Sequence, residues 1–139
     1  MDDCTRYTWL FLLETKSQVT QTFLNFKSFI ERQFDTHIKI VQSDCGTEFQ
    51  PLVSFFHKIG ITTRFSCPRT PEQNGRAERK NRHITEVGLT LLAHAKLPLK
   101  FWGYALSTAV FLINRLPTPI LKNKTPLNAS TKLHQITMF

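Results

Sequence analysis

The sequence predicts an α/β protein, a small sheet covered by helices. Two observations predict it. Short apolar runs alternate with segments of helical period in the order strand, helix, strand, helix, strand, and two further helices follow. Twelve Phe and two Trp among 139 residues supply the apolar surface for one domain core, at roughly 1.5–3 kcal/mol for each well-buried Phe.

Each element has its own signal. Residues 6–14, RYTWLFLLE, are aromatic and nearly continuous in apolar residues, which predicts a buried strand. In TKSQVTQTFLNFKSFIERQF, Val19, Phe23, Phe26, Ile30 and Phe34 recur at steps of four, three, four and four. That is one face of a helix, closed by Asp35 and Thr36. HIKIVQ predicts a second strand. EFQPLVSFFHKIG sets Leu52, Phe55, Phe56 and Ile59 at helical spacing, with Pro51 early and Gly60 as the stop. ITTRFSC predicts a third strand. Residues 68–75, PRTPEQNG, predict a mobile loop. A long helix follows from Arg76, with Ala77, Ile84, Val87, Leu91 and Ala95 on one side, and Pro98 breaks it. LKFWGYALSTAVFLINRL predicts a last helix striped by Trp102, Leu106, Ala109, Val110 and Ile113, ended by Pro117 and Pro119. From about Ile120 the pattern fades.

Composition narrows the function. Net charge is +8 and the isoelectric point is about 9.8, which suits a polyanionic partner. Cys4, Cys45 and Cys67 are odd in number and show no CxxC spacing, against a disulfide framework or zinc cluster. The five His form no HxxxH pair. There is no secretory h-region and no eighteen-residue apolar run, so no membrane partner is expected and the protein is expected to be soluble and intracellular.

The chemistry centres on two acids. Asp44 follows the strand HIKIVQ, at the strand end where open α/β sheets place their sites. Glu78 opens the long helix, with thirty-three residues between the two acids. Two converging carboxylates beside a basic loop suit a divalent metal that must also bind phosphate oxygens. A structural reading stands beside this one: Asp44 with Gly46 as an Asx turn, and Glu78 paired with Arg82 on a solvated helix. Arg64, Arg69, Arg76, Arg79, Lys80 and Arg82 place six positive charges around the acids, against Glu72 and Glu78. A helix and loop so biased can follow a phosphate backbone, or be a solvated face.

The strings DDCTRYTWLFLLETKS, VQSDCGTEFQPLVSFFHKIGITTRFSCPRTPEQNGRAERKNRHI and AKLPLKFWGYALSTAVFLINRLPT, in this order, resemble the integrase catalytic core of copia-type retrotransposons over residues 2–126. The resemblance implies a ribonuclease H-like fold, a D…D…E triad holding two Mg²⁺ or Mn²⁺ ions, and joining of retrotransposon DNA ends to target DNA by transesterification. It makes Asp44 the second acid and Glu78 the third, both metal ligands. It sets Gln73 and Asn74 in the active-site loop and Arg69, Arg76, Arg79, Lys80 and Arg82 toward DNA.

The chain departs from the family at three places. Position 45 is Cys where Asn or Gly is usual. The first acid has no counterpart, because DDCTRYTW matches the turn between the second and third strands. Asp2 or Asp3 would have to reach the metal from a hairpin end. Without the first strand and most of the second, the mixed sheet is incomplete, residues 6–14 lack a neighbour, and HIKIVQ exposes an edge open to aggregation. The expected division is a partial, N-terminally truncated core over residues 1–120 and a degenerate or poorly ordered tail over residues 121–139. The leading reading is thus an integrase-core fragment, catalytically incomplete, with DNA, a second copy and the remainder of a polyprotein as partners. The alternatives are a non-catalytic DNA-binding or dimerisation module, whose apolar surface would include Trp102 and Phe111, and a ribonuclease H-like nuclease.

Overall fold

The computed structural model describes residues 1–43, 49–65, 71–130 and 136–137, with the side chains of residues 50, 71–74, 136 and 137 left aside. Its sheet is built on β1 (Ile40–Ser43), whose Val41 and Ser43 are buried. β2 (Thr62–Phe65) pairs with it in parallel, from Ile40↔Thr62 to Ser43↔Phe65. On the other side β3 (Ile136–Thr137) pairs in parallel through Val41↔Ile136 and Gln42↔Thr137. The order is β2-β1-β3. The β1 edge expected to stand open is therefore covered by the chain's own C-terminal region, which satisfies backbone groups that would otherwise template another chain.

The helices follow their apolar spacing. α1 (Val19–Phe34) buries Phe23, Phe26 and Ile30 and ends at Asp35, whose φ of 47° is left-handed and whose N–H donates to the Glu31 carbonyl. α2 (Gln50–Lys58) carries Pro51 in its first turn, where a missing N–H costs nothing, and stops before Gly60 at φ +76°. Leu52 and Phe56 of α2, Val41 of β1, Ile38, Ile61 and the three buried α1 residues form the first core cluster. Ile59 falls on the exposed C-cap side of the α2 stripe. α3 (Pro71–His94) and α4 (Trp102–Ile113) pack on each other. Their cluster is Ile84, Ala109, Val110 and Ile113, with Leu10, Val87, Leu91 and Leu106 against it. Beyond α4, Thr118 and Lys124 form an antiparallel bridge, and the short α5 (Pro126–Ala129) is capped by the Thr125 hydroxyl.

Residues 6–13 differ from the sequence expectation: they belong to no strand. Their side chains nevertheless alternate as a strand's would. Trp9 and Phe11 pack edge-on against Phe26 of α1, at ring-centre distances of 5.2 and 5.4 Å. Leu10 joins the α3–α4 cluster, and Leu12 lies against Gly103 of α4. Apolar sequence fixes this sandwiching between helices, but a ladder requires a neighbouring backbone. At Thr8 a side chain replaces the neighbour. The Asn114 amide accepts from the Thr8 N–H at 2.9 Å and donates to the Thr8 carbonyl at 2.8 Å.

Glu31 ties α1 to the approach of β1. Its carboxylate accepts from Lys27 Nζ at 2.6 Å and from the Ile38 N–H at 3.0 Å. Burial pushes this carboxyl up, and the bonds from Lys27 and Ile38, with the Lys27 and His37 charges, outweigh it, so its pKa lies below the ordinary value. A carboxylate held down in the folded state stabilises above its unfolded pKa, and that stability is lost as pH falls through the folded value. Glu31→Gln is expected to cost about 1–2 kcal/mol at neutral pH. The difference from wild type should shrink as urea midpoints are measured at decreasing pH below about 4.

Candidate metal and nucleic-acid site

The parallel pair β1–β2 ends at Ser43 and Phe65, which are register partners. Asp44 is the residue after Ser43, and α3 begins six residues after Phe65. Both chain exits thus leave the carboxyl edge of the sheet, the edge where α/β folds build sites. Asp44 and Arg69 lie outside the described residues.

α3 starts earlier than the sequence suggested. It begins at Pro71, so Gln73 and Asn74 sit in its first turns rather than in a loop. Proline at the first helical position explains this, since its fixed φ suits a helix and the N–H it lacks would have no partner there. Glycine at position 75 does not stop the helix. A Cβ there would meet the Arg79 guanidinium at 3.1 Å, so that side chain lies back along the first turns.

The faces of α3 then divide. Ala77, Ile84 and Leu92 are buried. Gly88 is buried too, and a Cβ on it would come within 3.3 Å of Leu106, so the close approach of α4 uses this glycine. Glu78, Arg79 and Arg82 are exposed on the outer side. Arg76 is exposed as well and bonds Asp3, with Nη1 at 3.0 and 3.1 Å from the two carboxylate oxygens. Lys80 turns inward: it is half-buried, and burial, with the Arg6 charge second, lowers its pKa. Of the basic residues predicted to face DNA, Arg76, Arg79 and Arg82 are at the surface, while Lys80 packs toward the N-terminal turn.

That turn accounts for Asp2 and Asp3. The Asp2 N–H donates to the Tyr7 carbonyl at 2.8 Å and its own carbonyl accepts from Arg6 at 2.9 Å, closing a tight hairpin turn. The buried Asp2 carboxylate accepts from the Thr5 N–H and hydroxyl, both at 2.6 Å. Asp3 bonds Arg6 at 2.7 Å in addition to Arg76. Arg6 takes a left-handed φ of 61° to permit the turn. The Met1 amine beside it is lowered to about 5, chiefly by burial. Asp2 is thus held within the turn by Thr5, and Asp3 links the turn to α3 through Arg6 and Arg76. Among the described residues no group of three His, Cys, Asp or Glu could hold a metal.

A cavity of about 390 Å³ lies between α1, residues 9–13, α3 and α4. Trp9, Phe23, Phe26, Ile84 and Leu106 line it. These residues come from both core clusters, so it is an apolar gap between packing layers and not part of the charged α3 face. Among the described residues no helix is long and apolar enough to cross a membrane.

Comparison with solved structures shows the integrase catalytic-core fold, which is ribonuclease H-like. One neighbour is a chain of the simian T-cell lymphotropic virus intasome in complex with PP2A regulatory subunit B56 gamma (TM-score 0.63, 20% identity, covering 86% of this chain and 41% of that one). Another is the catalytic core domain of BIV integrase (TM-score 0.57, 23% identity, covering 86% and 73%). In sequence, the chain is similar to retrovirus-related Pol polyproteins of copia-type transposons. It is 52% identical over 126 residues to that of transposon RE1 and 53% identical over 126 residues to that of RE2, both of Arabidopsis thaliana. It is 40% identical over 128 residues to that of transposon TNT 1-94 of Nicotiana tabacum. Each match covers 91% of this chain, which spans only 9–10% of the length of these curated relatives. No family model matches the chain.

Three contacts escaped the sequence reading: the Asp3–Arg76 pair, the inward turn of Lys80 and the Asn114 clamp on Thr8. The first two join residues over seventy positions apart and leave no local pattern. Asn114 did carry a signal, the N-R-L-P string, but its role needs the fold.

Proposed function

We propose that this chain is a nucleic-acid-binding segment of a retrotransposon integrase catalytic core. In this reading the outer face of α3 takes the phosphates of retrotransposon-end and target DNA through Arg79 and Arg82, with Arg76 at its start held by Asp3. Asp44 and Glu78 are the chain's ligands for Mg²⁺ or Mn²⁺. The observation that carries the reading is the surface of α3, where Glu78 stands beside Arg79 and one turn before Arg82, on the helix that leaves the carboxyl edge of the sheet.

The donor chemistry fits, since hard divalent cations take carboxylate oxygens and keep open positions for water and phosphate. When bound, such ions activate an attacking oxygen and stabilise the leaving one. The chain's own residues hold the metal and position the duplex by phosphate contacts that carry no base information. In this reading Asp2, held by Thr5, and Asp3, held by Arg6 and Arg76, are not offered to the metal, and a polyprotein remainder and a second copy are the segment's partners.

The test is duplex binding followed by anisotropy at several salt concentrations. Wild type is expected to bind with strong salt dependence. Arg79→Ala with Arg82→Ala is expected to reduce the slope of log K against log salt by about 1.8, two phosphate contacts at roughly 0.9 each. Mn²⁺ binding, read by electron paramagnetic resonance, should weaken in Asp44→Asn and in Glu78→Gln. Salt-insensitive binding that ignores both arginines would sink the proposal. Mg²⁺-dependent nicking or strand transfer by wild type, lost in Glu78→Gln, would replace it with an active enzyme.

A further inference from the structure

The first turns of α3 have few ties to the rest of the fold. Of residues 75–83 only Ala77 is buried, and a single methyl group is a narrow foothold. Firm packing begins at Ile84 and Gly88, against α4. A helix end held this way frays readily, because its first four N–H groups have no partner within the helix. It is also free to roll about its axis.

The N-terminal turn supplies a second tie. At about 100° per residue, Arg76 and Glu78 stand on opposite flanks of Ala77. Asp3 takes the Arg76 flank: Arg76 Nη1 lies 3.0 and 3.1 Å from its two oxygens, and Arg6 Nη1 lies 2.7 Å from one of them. The Asp3 carboxylate is itself well placed, since bonds among Asp2, Thr5, Arg6 and Tyr7 close the turn that carries it. Its side chain is 25% exposed, so the pair is partly shielded from water and salt. Lys80 packs on the same flank, within range of the Arg6 charge. Three cations therefore meet at this contact. Asp3 bonds two of them, while the Asp2 carboxylate beside it accepts from Thr5. Without the Asp3 charge, the cations would push α3 and the turn apart.

We infer that Asp3 is a positioning residue for the candidate metal site: by holding Arg76 it fixes the roll of α3, and with it the direction in which Glu78 presents its carboxylate. The role rests on Glu78 being a metal ligand. Asp3 does not touch the metal and acts through the helix. Holding Arg76 also withholds it from phosphate. One carboxylate thus sets both how well the metal is held and how many arginines α3 offers to DNA.

The experiment measures Mn²⁺ affinity by electron paramagnetic resonance, and duplex binding against salt, on the full chain and its variants. Asp3→Asn is expected to weaken Mn²⁺ binding about tenfold, the low end for a group that orients a metal ligand. Duplex binding should move the other way: Arg76 is released, and the slope of log K against log salt should steepen by about 0.9. Partial unfolding would weaken both, so the opposed signs separate positioning from general damage. Arg76→Gln should weaken Mn²⁺ binding as Asp3→Asn does, and the double variant should be no worse than either single one. Asp3→Glu, which keeps the carboxylate, should retain most of the affinity. Without metal, amide exchange at residues 79–82 should quicken in Asp3→Asn while Leu92 stays protected. If Asp3→Asn fails to fold, Arg76→Gln carries the test. Tighter Mn²⁺ binding in Arg76→Gln would overturn the inference, because it would make Asp3 a ligand in its own right. So would wild-type Mn²⁺ affinity in Asp3→Asn where Glu78→Gln has lost it, a result that leaves the metal reading standing. Mn²⁺ binding that Glu78→Gln does not change would remove both.

Discussion

Phe56→Ala is expected to lower the unfolding free energy by about 3–5 kcal/mol, read as a fall in the urea midpoint at constant slope. Phe56 is 2% exposed. Its ring meets that of Phe23 edge-on at 5.0 Å between centres, so removing it opens a void between α1 and α2. Val41 of β1 belongs to the same cluster. The void therefore lies under the strand whose last residue precedes Asp44. A domain of this size has about 5–15 kcal/mol of stability in all, so the substitution consumes a large share of it. The expected signature at the site is weaker Mn²⁺ binding even where the protein remains mostly folded. Phe56→Leu, which leaves most of the volume filled, should cost less than half as much.

How much of this was legible in the sequence depends on how local the cause is. α1 was legible because Phe23, Phe26 and Ile30 recur at the helical period and all three are buried. β1 was legible as a short run carrying Ile38, Ile40 and Val41, and β2 as the short segment ITTRFSC before the proline-rich stretch. The start of α3 was misplaced because PEQNG reads as turn chemistry, and Pro, Asn and Gly do favour turns. Yet proline at a first helical position also favours a helix, and a long helix packed on α4 carries a glycine at position 75 at a cost of about 1 kcal/mol. Residues 6–13 were legible as a strand in their side chains and not in their backbone. Period-two alternation comes from the two apolar layers, whereas hydrogen bonding depends on what lies alongside. The pairing of β3 with β1 was illegible for the same reason, since it joins positions nearly a hundred residues apart.

The site divides the same way. Glu78 and Arg82 could be placed on one helix face from spacing alone. That Arg76 bonds Asp3, and that Lys80 turns toward the N-terminal turn, depends on where residues 1–7 come to rest. A basic cluster read from sequence is therefore an upper bound on the charge offered to a ligand. Here an acid of the hairpin turn engages Arg76, and burial disfavours the charged form of Lys80.

The second large effect is expected at Asn114. Asn114→Ala should cost about 2–4 kcal/mol, because it removes two bonds and leaves the Thr8 N–H and carbonyl buried without them, at roughly 1–3 kcal/mol for each unsatisfied group. Asn114 is 3% exposed and Thr8 2%. The residue also works through its backbone, since its carbonyl accepts from the Leu127 N–H at 2.9 Å and so fixes α5. One position at the end of α4 thus anchors the N-terminal segment and the approach to the C-terminal region, which is why an asparagine follows the apolar run there. The amide has a donor and an acceptor on one planar group, the same pair that a neighbouring strand would offer. Asn114→Asp keeps the acceptor and loses the donor, and leaves a buried charge facing the Thr8 carbonyl, so it should be at least as damaging as alanine at neutral pH and recover as pH falls and the carboxyl protonates. Amide exchange at Thr8 is the direct readout. Its protection should vanish in Asn114→Ala while that of Val41 persists, because Val41 is held by the β1 ladders on both sides. Loss of protection at both together would show instead that the two core clusters unfold as one unit.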